Sequence, residues 1–587
     1  MMPSALTSRR QAVLCALGLL VCALATHPVA EIGMDDDWSY VETARILAQT
    51  GHIAYVGWAG AMLGWQLFLG ALFARLFGPS FTAIRASTLF VALLTAFLTH
   101  RCMVRAGLSL RNATFGTLSL VLSPLFLPLA LSFMTDTNAL FCVVLCLYAC
   151  LRAMQAKTDR AVLAWLAFAA LSNALDGTVR QLAWLGVLVI FPCAIWLLRR
   201  RPHVLVSGGL LYLISSVFII SSLHWFSHQP YTTPESPFAI HVTLRNLNRL
   251  INQSSSLSLG FVLFLLPVLA AFIPAFSFRN RRSKVFVACG AGLFLAALIC
   301  VFFFNPHSLG SFLAPFQGSS VTIFGLGAVT SIPGGHSAPV ILPLTLRVVL
   351  TIAVLFALLC FLDFLRTRRL NLTDRSQSAL PPPISWRDLL VLLVPFVLAY
   401  LALLISCGLQ RDLFDRYLLL ILLIGLIFLL RLFQDSVQPN LPRACYGLLL
   451  LYALYAVASE HDTFCSLRAR VTAIDELRAA GIPDTAIDGG WEHNAMVQVE
   501  RCGHINYPHI RMDSKAPLKQ SSSLPGSCEE PENNPIPILL PLFAVSFDPH
   551  FGGGLAPFPP IPYRIWLGPQ TVTLYIVNIA KLAAIQH

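Results

Sequence analysis

Residues 9–40 read RRQAVLCALGLLVCALATHPVAEIGMDDDWSY. Two arginines precede an apolar run of about 20 residues, the length that crosses the hydrocarbon of a bilayer. The run ends at three successive aspartates, Asp35, Asp36 and Asp37, followed by Trp38, Ser39 and Tyr40. A cationic flank on one side and acids on the other orient the segment with its N-terminus inside and its acids outside. Arg9 and Arg10, the apolar run and the small residues Ala25 and Ala30 also fit a secretory signal. Cleavage would cut just before the acidic motif, so an uncleaved anchor is the expectation.

The rest of the chain repeats this pattern. Of 587 residues, 56% are apolar and only 12% charged, about half the charged share of a soluble domain. Mean hydropathy is +0.72. These values exclude a disordered chain and a nucleic-acid-binding basic domain, and point to a polytopic membrane protein. Apolar segments predict 13 spans, at 11–30, 81–100, 112–131, 137–153, 161–176, 181–198, 204–225, 256–276, 285–304, 346–365, 388–406, 417–434 and 444–459. The stretch 60–77 reads as an amphipathic or half-inserted helix in the first outer loop, because a span there would invert every later loop.

The charges test this topology. Of the 40 Lys and Arg, 22 fall in the segments assigned to the inside, as the positive-inside rule requires of short loops. The net charge of +12 is therefore a topology signal and not a footprint for nucleic acid. Of the acids, only Asp159, Asp363, Asp374, Asp388 and Asp435 lie inside. The expected organisation is an all-α transmembrane domain over 1–460, with a catalytic outer loop at 31–80, and a small α/β or α+β outer domain over 461–587. A helix over Ser466–Ala480 should open that domain and stop at Gly481-Ile-Pro483. A Pro/Ser/Glu-rich loop follows at 514–537 and a strand at Thr571–Ile579. The stretch 366–387, with Pro381–Pro383, reads as an inner linker. Cys142, Cys146 and Cys150 recur every four residues, which reads as small-residue helix packing. Cys465, Cys502 and Cys528 lie in the outer tail, where one disulfide is permitted and spacing does not choose the pair.

Three short motifs can carry chemistry. In Met34–Tyr40 the adjacent carboxylates repel one another, so at least one should have a raised pKa, as suits a general base. The same three, Asp35, Asp36 and Asp37, could hold a divalent cation; an N-cap would need only one of them. In Ser132–Thr137, Asp136 sits in a very short outer turn where it either caps the next helix or joins the triple Asp in one cavity. In Gln410–Tyr417, Arg411 and Arg416 stand on the wrong side for the positive-inside rule, and Arg suits bidentate contact with phosphate. Pairing with Asp412 and Asp415 is the structural alternative. Asp176 and Arg180 occupy another short outer turn. His224, His228, His241, His307 and His336 are scattered, and none has the spacing of a zinc site. Asp488 with Glu492 and His493 is a weaker cluster.

The order and sidedness of these motifs resemble the GT-C superfamily of membrane glycosyltransferases. The likeness is to the bacterial branch that groups lipid A aminoarabinose transferases with relatives of the protein O-mannosyltransferases. Asp36-Asp37-Trp-Ser-Tyr40 is similar to that branch's Asp-Glu-x-x-Tyr, Ser123-Pro124 through Asp136 to its following segment, and Phe414-Asp-Arg416-Tyr417-Leu to its late Arg-Tyr-Leu. The resemblance implies transfer of a sugar from a polyprenyl-phosphate carrier to an acceptor lipid, glycan or protein on the outer face of a bacterial inner membrane, with inversion at C1. It makes Asp36 the base, with Asp37 beside it and Asp136 in support, and Arg416 with Arg411 and Tyr417 the phosphate site; Asp35, Tyr40, Asp176 and Arg180 are accessory. Many members carry Lys-Pro-Pro after the first motif. Here Trp58–Trp65 stands instead, which argues against an aminoarabinose transferase in particular. A multi-span lipid or glycan transporter is the rival reading. Ion-coupled transporters place ionisable residues inside spans, whereas here they lie at span ends.

Overall fold

The computed structural model describes residues 5–233, 243–276, 279–304, 306–316, 320–327, 332–367, 384–505, 528 and 536–579. The first half holds α1 (Ala5–Ala25), α2 (Asp37–Thr50), α3 (Gly64–Phe77), α4 (Phe81–Arg105), α5 (Leu110–Val121), α6 (Phe126–Ala130), α7 (Asp136–Met154) and α8 (Asp159–Asp176). After α9 (Phe191–Leu197) and α10 (Pro202–Ser227) come α11 (Leu244–Leu269), α12 (Arg281–Phe304), α13 (Leu344–Thr367), α14 (Trp386–Gln410), α15 (Leu419–Ser436), α16 (Arg443–Ala479) and α17 (Trp491–Cys502). A hairpin of β1 (Val321–Thr322) and β2 (Gly325–Leu326) lies in the outer loop before α13. The tail holds β3 (Ile487–Asp488), β4 (Phe543–Ser546), β5 (Ile561–Arg564) and β6 (Thr571–Asn578) in one sheet, order β3-β4-β6-β5. Only the β3–β4 pair is parallel.

Among the described residues nine helices are long and apolar enough to span a membrane, where 13 were expected. The other four segments are helical but differ for physical reasons. The segment 112–131 breaks between α5 and α6, where Pro124 has no N–H and the Ser123 hydroxyl accepts from Phe126 N instead. The segment 161–176 is bounded by Asp159, Arg160 and Asp176 within 18 residues. The segment 181–198 winds as 3₁₀, then π, then α-helix over Gln181–Leu197. The segment 444–459 is the first part of α16, which runs unbroken for 37 residues through position 460. The tail helix expected at Ser466 is the outer end of that same helix, and Gly481 follows it with φ +78.

The first outer loop folds as expected: a helix follows the triple Asp and α3 occupies the 60–77 stretch. The α7–α8 contact explains the cysteine stripe. Cys142, Cys146 and Cys150 are fully buried, and Ala169 and Ala170 of α8 are equally closed to solvent. Small side chains let the backbones approach, the main source of helix association in lipid. Facing outward are bulky residues such as Val206, Leu293 and Phe304, exposed by 73%, 74% and 87%, as a lipid-facing surface requires. Of the three tail cysteines, Cys502 and Cys528 form the disulfide. His241 and most of 366–387 and 514–537 lie outside the described residues, as does the side chain of His307.

Candidate active site

The triple Asp does not act as one acidic patch. Asp35 takes a left-handed turn, φ +54, a conformation that Asp tolerates better than bulkier residues. The turn splits the three carboxylates between two arginines. Asp37 points inward: Arg85 grips it with Nε at 2.7 Å and Nη2 at 3.1 Å, and the amides of Met34 and Phe133 donate at 2.7 and 3.2 Å. Arg85 spends its remaining N–H groups on the carbonyls of Ala30 and Ile32. Both side chains are sealed from solvent.

Asp35 and Asp36 face Arg416. Its guanidinium lies 3.4 Å from Asp35 and 3.8 Å from Asp36, and Trp58 Nε1 donates to the other oxygen of Asp36 at 2.8 Å. The Asp35 carboxyl is pushed up to about 7: burial is the largest cause, Arg416 opposes it, and Asp36 adds repulsion. This holds although 30% of the side chain stays accessible. Asp36 is raised by the same burial, against Arg416 and the Trp58 bond. The repulsion expected between adjacent acids is present, but it ranks below loss of water.

Arg416 itself is 9% exposed. It sits in a 3₁₀ turn, Asp415–Leu418, before α15. The turn is pinned three ways. Asp415 accepts from the amides of Ser320 and Val321. Gln253 of α11 bonds Asp412 and the amide of Leu413. Tyr400 donates to the carbonyl of Tyr417 at 2.7 Å. Asp412 and Asp415 therefore brace this loop, while Arg416 reaches across 381 positions of sequence to Asp35. Its Nε is buried without a partner among the described residues.

Asp136 is in the first turn of α7, and no side chain caps that helix. Asp136 instead pairs with Arg180, leaving its second oxygen buried and unpartnered among the described residues. Arg180 stacks over the Tyr417 ring, 5.1 Å from its centre. The Tyr40 hydroxyl is raised by burial first and then by Asp36, while Arg416 and Arg180 pull it down. Those charges surround it. Asp35, Asp36, Tyr40, Asp136, Arg180, Arg416 and Tyr417 thus converge, Asp37 sits behind them, and Arg411 stands at the start of the turn where α14 ends. Asp176 is held separately; its carbonyl accepts from Trp65 and Cys142. Among the described residues no three His, Cys, Asp or Glu are grouped to hold a metal ion.

Sequence reasoning missed several members. Arg85 stands alone as a charge near the start of the apolar segment 81–100, and that isolated charge is the signal that could have found it. Trp58 and Trp491 carry no such signal; they meet with ring centres 4.8 Å apart, and Trp491 also packs edge-on against Trp38 at 6.2 Å. The tail cluster resolves differently: Glu492 pairs with buried Arg470 at 2.9 Å, and Asp488 bonds Gly490 N and Asn494. The Nε2 of His493 is buried without a partner among the described residues, and burial pulls His493 down to about 3. His224 and His228 contact only each other's turn at the end of α10 in the bonds they make.

No family model and no curated protein matches the chain. Among solved structures, ArnT from Cupriavidus metallidurans in the apo state is similar at 14% identity over 82% of each chain, with a TM-score of 0.37. The same protein bound to undecaprenyl phosphate is similar at 15% identity over 78% of this chain and 79% of that one, TM-score 0.33. The oligosaccharyltransferase AglB from Archaeoglobus fulgidus, in complex with an inhibitory peptide and a dolichol-phosphate, is similar at 14% identity over 79% of this chain and 58% of that one, TM-score 0.36.

Proposed function

We propose that this chain is an integral-membrane inverting glycosyltransferase that moves a sugar from a polyprenyl-phosphate donor to an acceptor hydroxyl on the outer face of the membrane. One observation carries the reading. A groove of about 920 Å³ runs between α11, α13, α14 and α15, lined almost wholly by Leu, Ile, Val and Phe. Two of its lining residues, Leu413 and Leu418, bracket Arg416 in sequence. An apolar groove among the helices whose wall includes the residues on either side of a held arginine suits a lipid whose head is a phosphate.

The chemistry follows from the charges. As C1 leaves the phosphate, negative charge builds on the leaving oxygen. Arg416, held in place before the reaction, stabilises that charge without reorganisation, with Tyr417 beside it and Arg411 at the start of the same turn. The Asp35–Asp36 pair supplies the base for the incoming hydroxyl, and Asp136 with Arg180 sets the field behind Tyr40. Asp37, with both oxygens filled, positions the turn and touches no substrate.

The test is single-turnover sugar release from a panel of polyprenyl-phosphate sugars by purified protein, for wild type, Asp36→Asn, Asp136→Asn and Arg416→Met. Donor consumed by wild type and spared by the three variants supports the reading. The groove would also serve a lipid flippase. A flippase would move labelled donor between leaflets of a proteoliposome with its sugar bond intact, and that result would sink the transferase.

A further inference from the structure

The cluster has a second opening. A small pocket of about 60 Å³, open to solvent, lies between the loop that holds Gly33–Asp35, α6 and the turn after it, the β1–β2 loop and the C-terminal part of α16. Asp35 forms part of its wall and Asp36 does not. The polar wall also includes Ser132, Ser320, Thr463 and the Arg470–Glu492 pair, and Leu129 and Leu467 add apolar surface. Ser320 is 4% exposed, and its hydroxyl has no partner among the described residues.

Resting on the transferase reading above, we propose that this pocket is the acceptor site, that it takes an uncharged hydroxyl-rich group such as a sugar residue of a glycan, and that Asp35 is the carboxylate meeting its hydroxyl. Two arguments lead there. The first is geometric. Inversion requires the nucleophile to arrive opposite the leaving group. Arg416 joins the two openings: its turn is bracketed by lining residues of the apolar groove, and its guanidinium contacts Asp35 in the wall of the pocket. Donor and acceptor would then approach the centre from different sides.

The second argument is charge. Each charged group on the pocket wall is already matched: Asp35 by Arg416, and Glu492 by Arg470 at 2.9 Å. No free cation is left for a phosphate or carboxylate on the acceptor among these wall residues, and such a group would meet two carboxylates. Hydroxyls, a planar ion pair and apolar patches together suit a sugar, with its ring face and its rim of donors and acceptors.

The step balances. The acceptor oxygen bonds to C1 of the donor sugar. The bond from C1 to the phosphate oxygen breaks with its electron pair going to polyprenyl phosphate, and the hydroxyl proton passes to Asp35. The products are a glycoside and polyprenyl phosphate.

The experiment uses full-length protein in detergent with methyl glycosides and the corresponding sugar phosphates as acceptor probes. Thermal protection by polyprenyl phosphate is read in parallel. Leu467→Trp, which fills the pocket, should raise the acceptor KM at least tenfold while donor protection stays at the wild-type shift. Ser466→Leu, at a half-buried position of the same wall, is the milder second variant, expected to raise the same KM with the fold intact. Methyl glycosides should outperform sugar phosphates at least tenfold. Donor protection in wild type with an unchanged acceptor KM in both variants, or sugar phosphates performing as well, overturns the acceptor assignment alone. Absence of donor protection in wild type overturns the transferase reading and this one with it.

Discussion

At the residue scale, three adjacent aspartates do two jobs because the first of them, Asp35, turns left-handed. Asp37 belongs to Arg85, and that pair is fully buried. Breaking a buried pair leaves one charge without compensation, at a cost of about 3–5 kcal/mol. Asp37→Asn is therefore expected to lower the thermal midpoint sharply, whereas the double change Asp37→Leu with Arg85→Leu should recover much of it. Trp58→Phe makes the opposite kind of change. It keeps the ring against Trp491 and removes the N–H bond to Asp36. Turnover should fall with little change in melting, because a bond to a charged group is worth about 1.5–3 kcal/mol and Arg416 still faces the carboxylate. Asp35 sets a pH dependence. Its folded pKa of about 7 lies above the ordinary aspartate value of 3.8, so its contribution favours the fold at low pH and is lost between those values as pH rises. Activity runs the other way, since the base must be ionised. Turnover should climb through pH 7, and Asp35→Asn should abolish that limb in a pH–rate profile.

At the element scale, α16 matters most. At 37 residues it is about 55 Å long, well beyond the hydrocarbon thickness, so one rigid rod both belongs to the bundle and carries Thr463, Ser466, Leu467 and Arg470 to the pocket. Its sequence reads as an apolar stretch followed by an amphipathic one, and the junction at Glu460 looks like a boundary. The helix continues because nothing breaks it: there is no Gly or Pro between Leu448 and Ala479, and Glu460 is accommodated in a fully buried position. Elements with a strong local signature were legible: the helix after the triple Asp, α3, the Gly481 stop and the last strand all lie where spacing puts them. What was not legible depends on tertiary partners. Asp37 differs from Asp35 only in facing Arg85, 48 positions away, and Trp491 gains its role only by touching Trp58. The tail also carries its own pH response. His493 is held neutral, with its pKa lowered from 6.5 to about 3. Stability is thus present above 6.5 and lost as pH falls toward 3, by about 2 kcal/mol at pH 5. Denaturation of wild type and His493→Phe at pH 5 and 7 checks this; the variant should show the smaller difference.

At the scale of the whole molecule, charge and apolar surface are divided. Asp35, Asp36 and Asp136 gather around Arg416, and a wide apolar groove between the helices includes Leu413 and Leu418, which bracket Arg416 in sequence. The apolar segments predict a multi-pass chain, and among the described residues they predict more spans than the long helices supply. The groove gives a test of scale. Gly425 lines it, and a side chain there would come within 2.9 Å of Phe261. Gly425→Leu should narrow the channel, weakening binding of a long-chain polyprenyl phosphate severalfold while a two-isoprene analogue is little affected. Equal losses for both would show that the lipid tail lies elsewhere.

The bridge from Arg416 to Asp35 also has a history in time. The two residues are 381 positions apart, and a ribosome adding 5–20 residues per second takes roughly 20–80 s to make that stretch. For that interval Asp35 and Asp36 have no guanidinium opposite them, and the Trp491 wall of the chamber arrives later still. A nascent chain stalled or truncated before residue 416 would carry a base with no leaving-group clamp, and so could bind no donor productively. The contact between Arg416 and Asp35 can therefore form only late in synthesis, long after the acids it faces have been made.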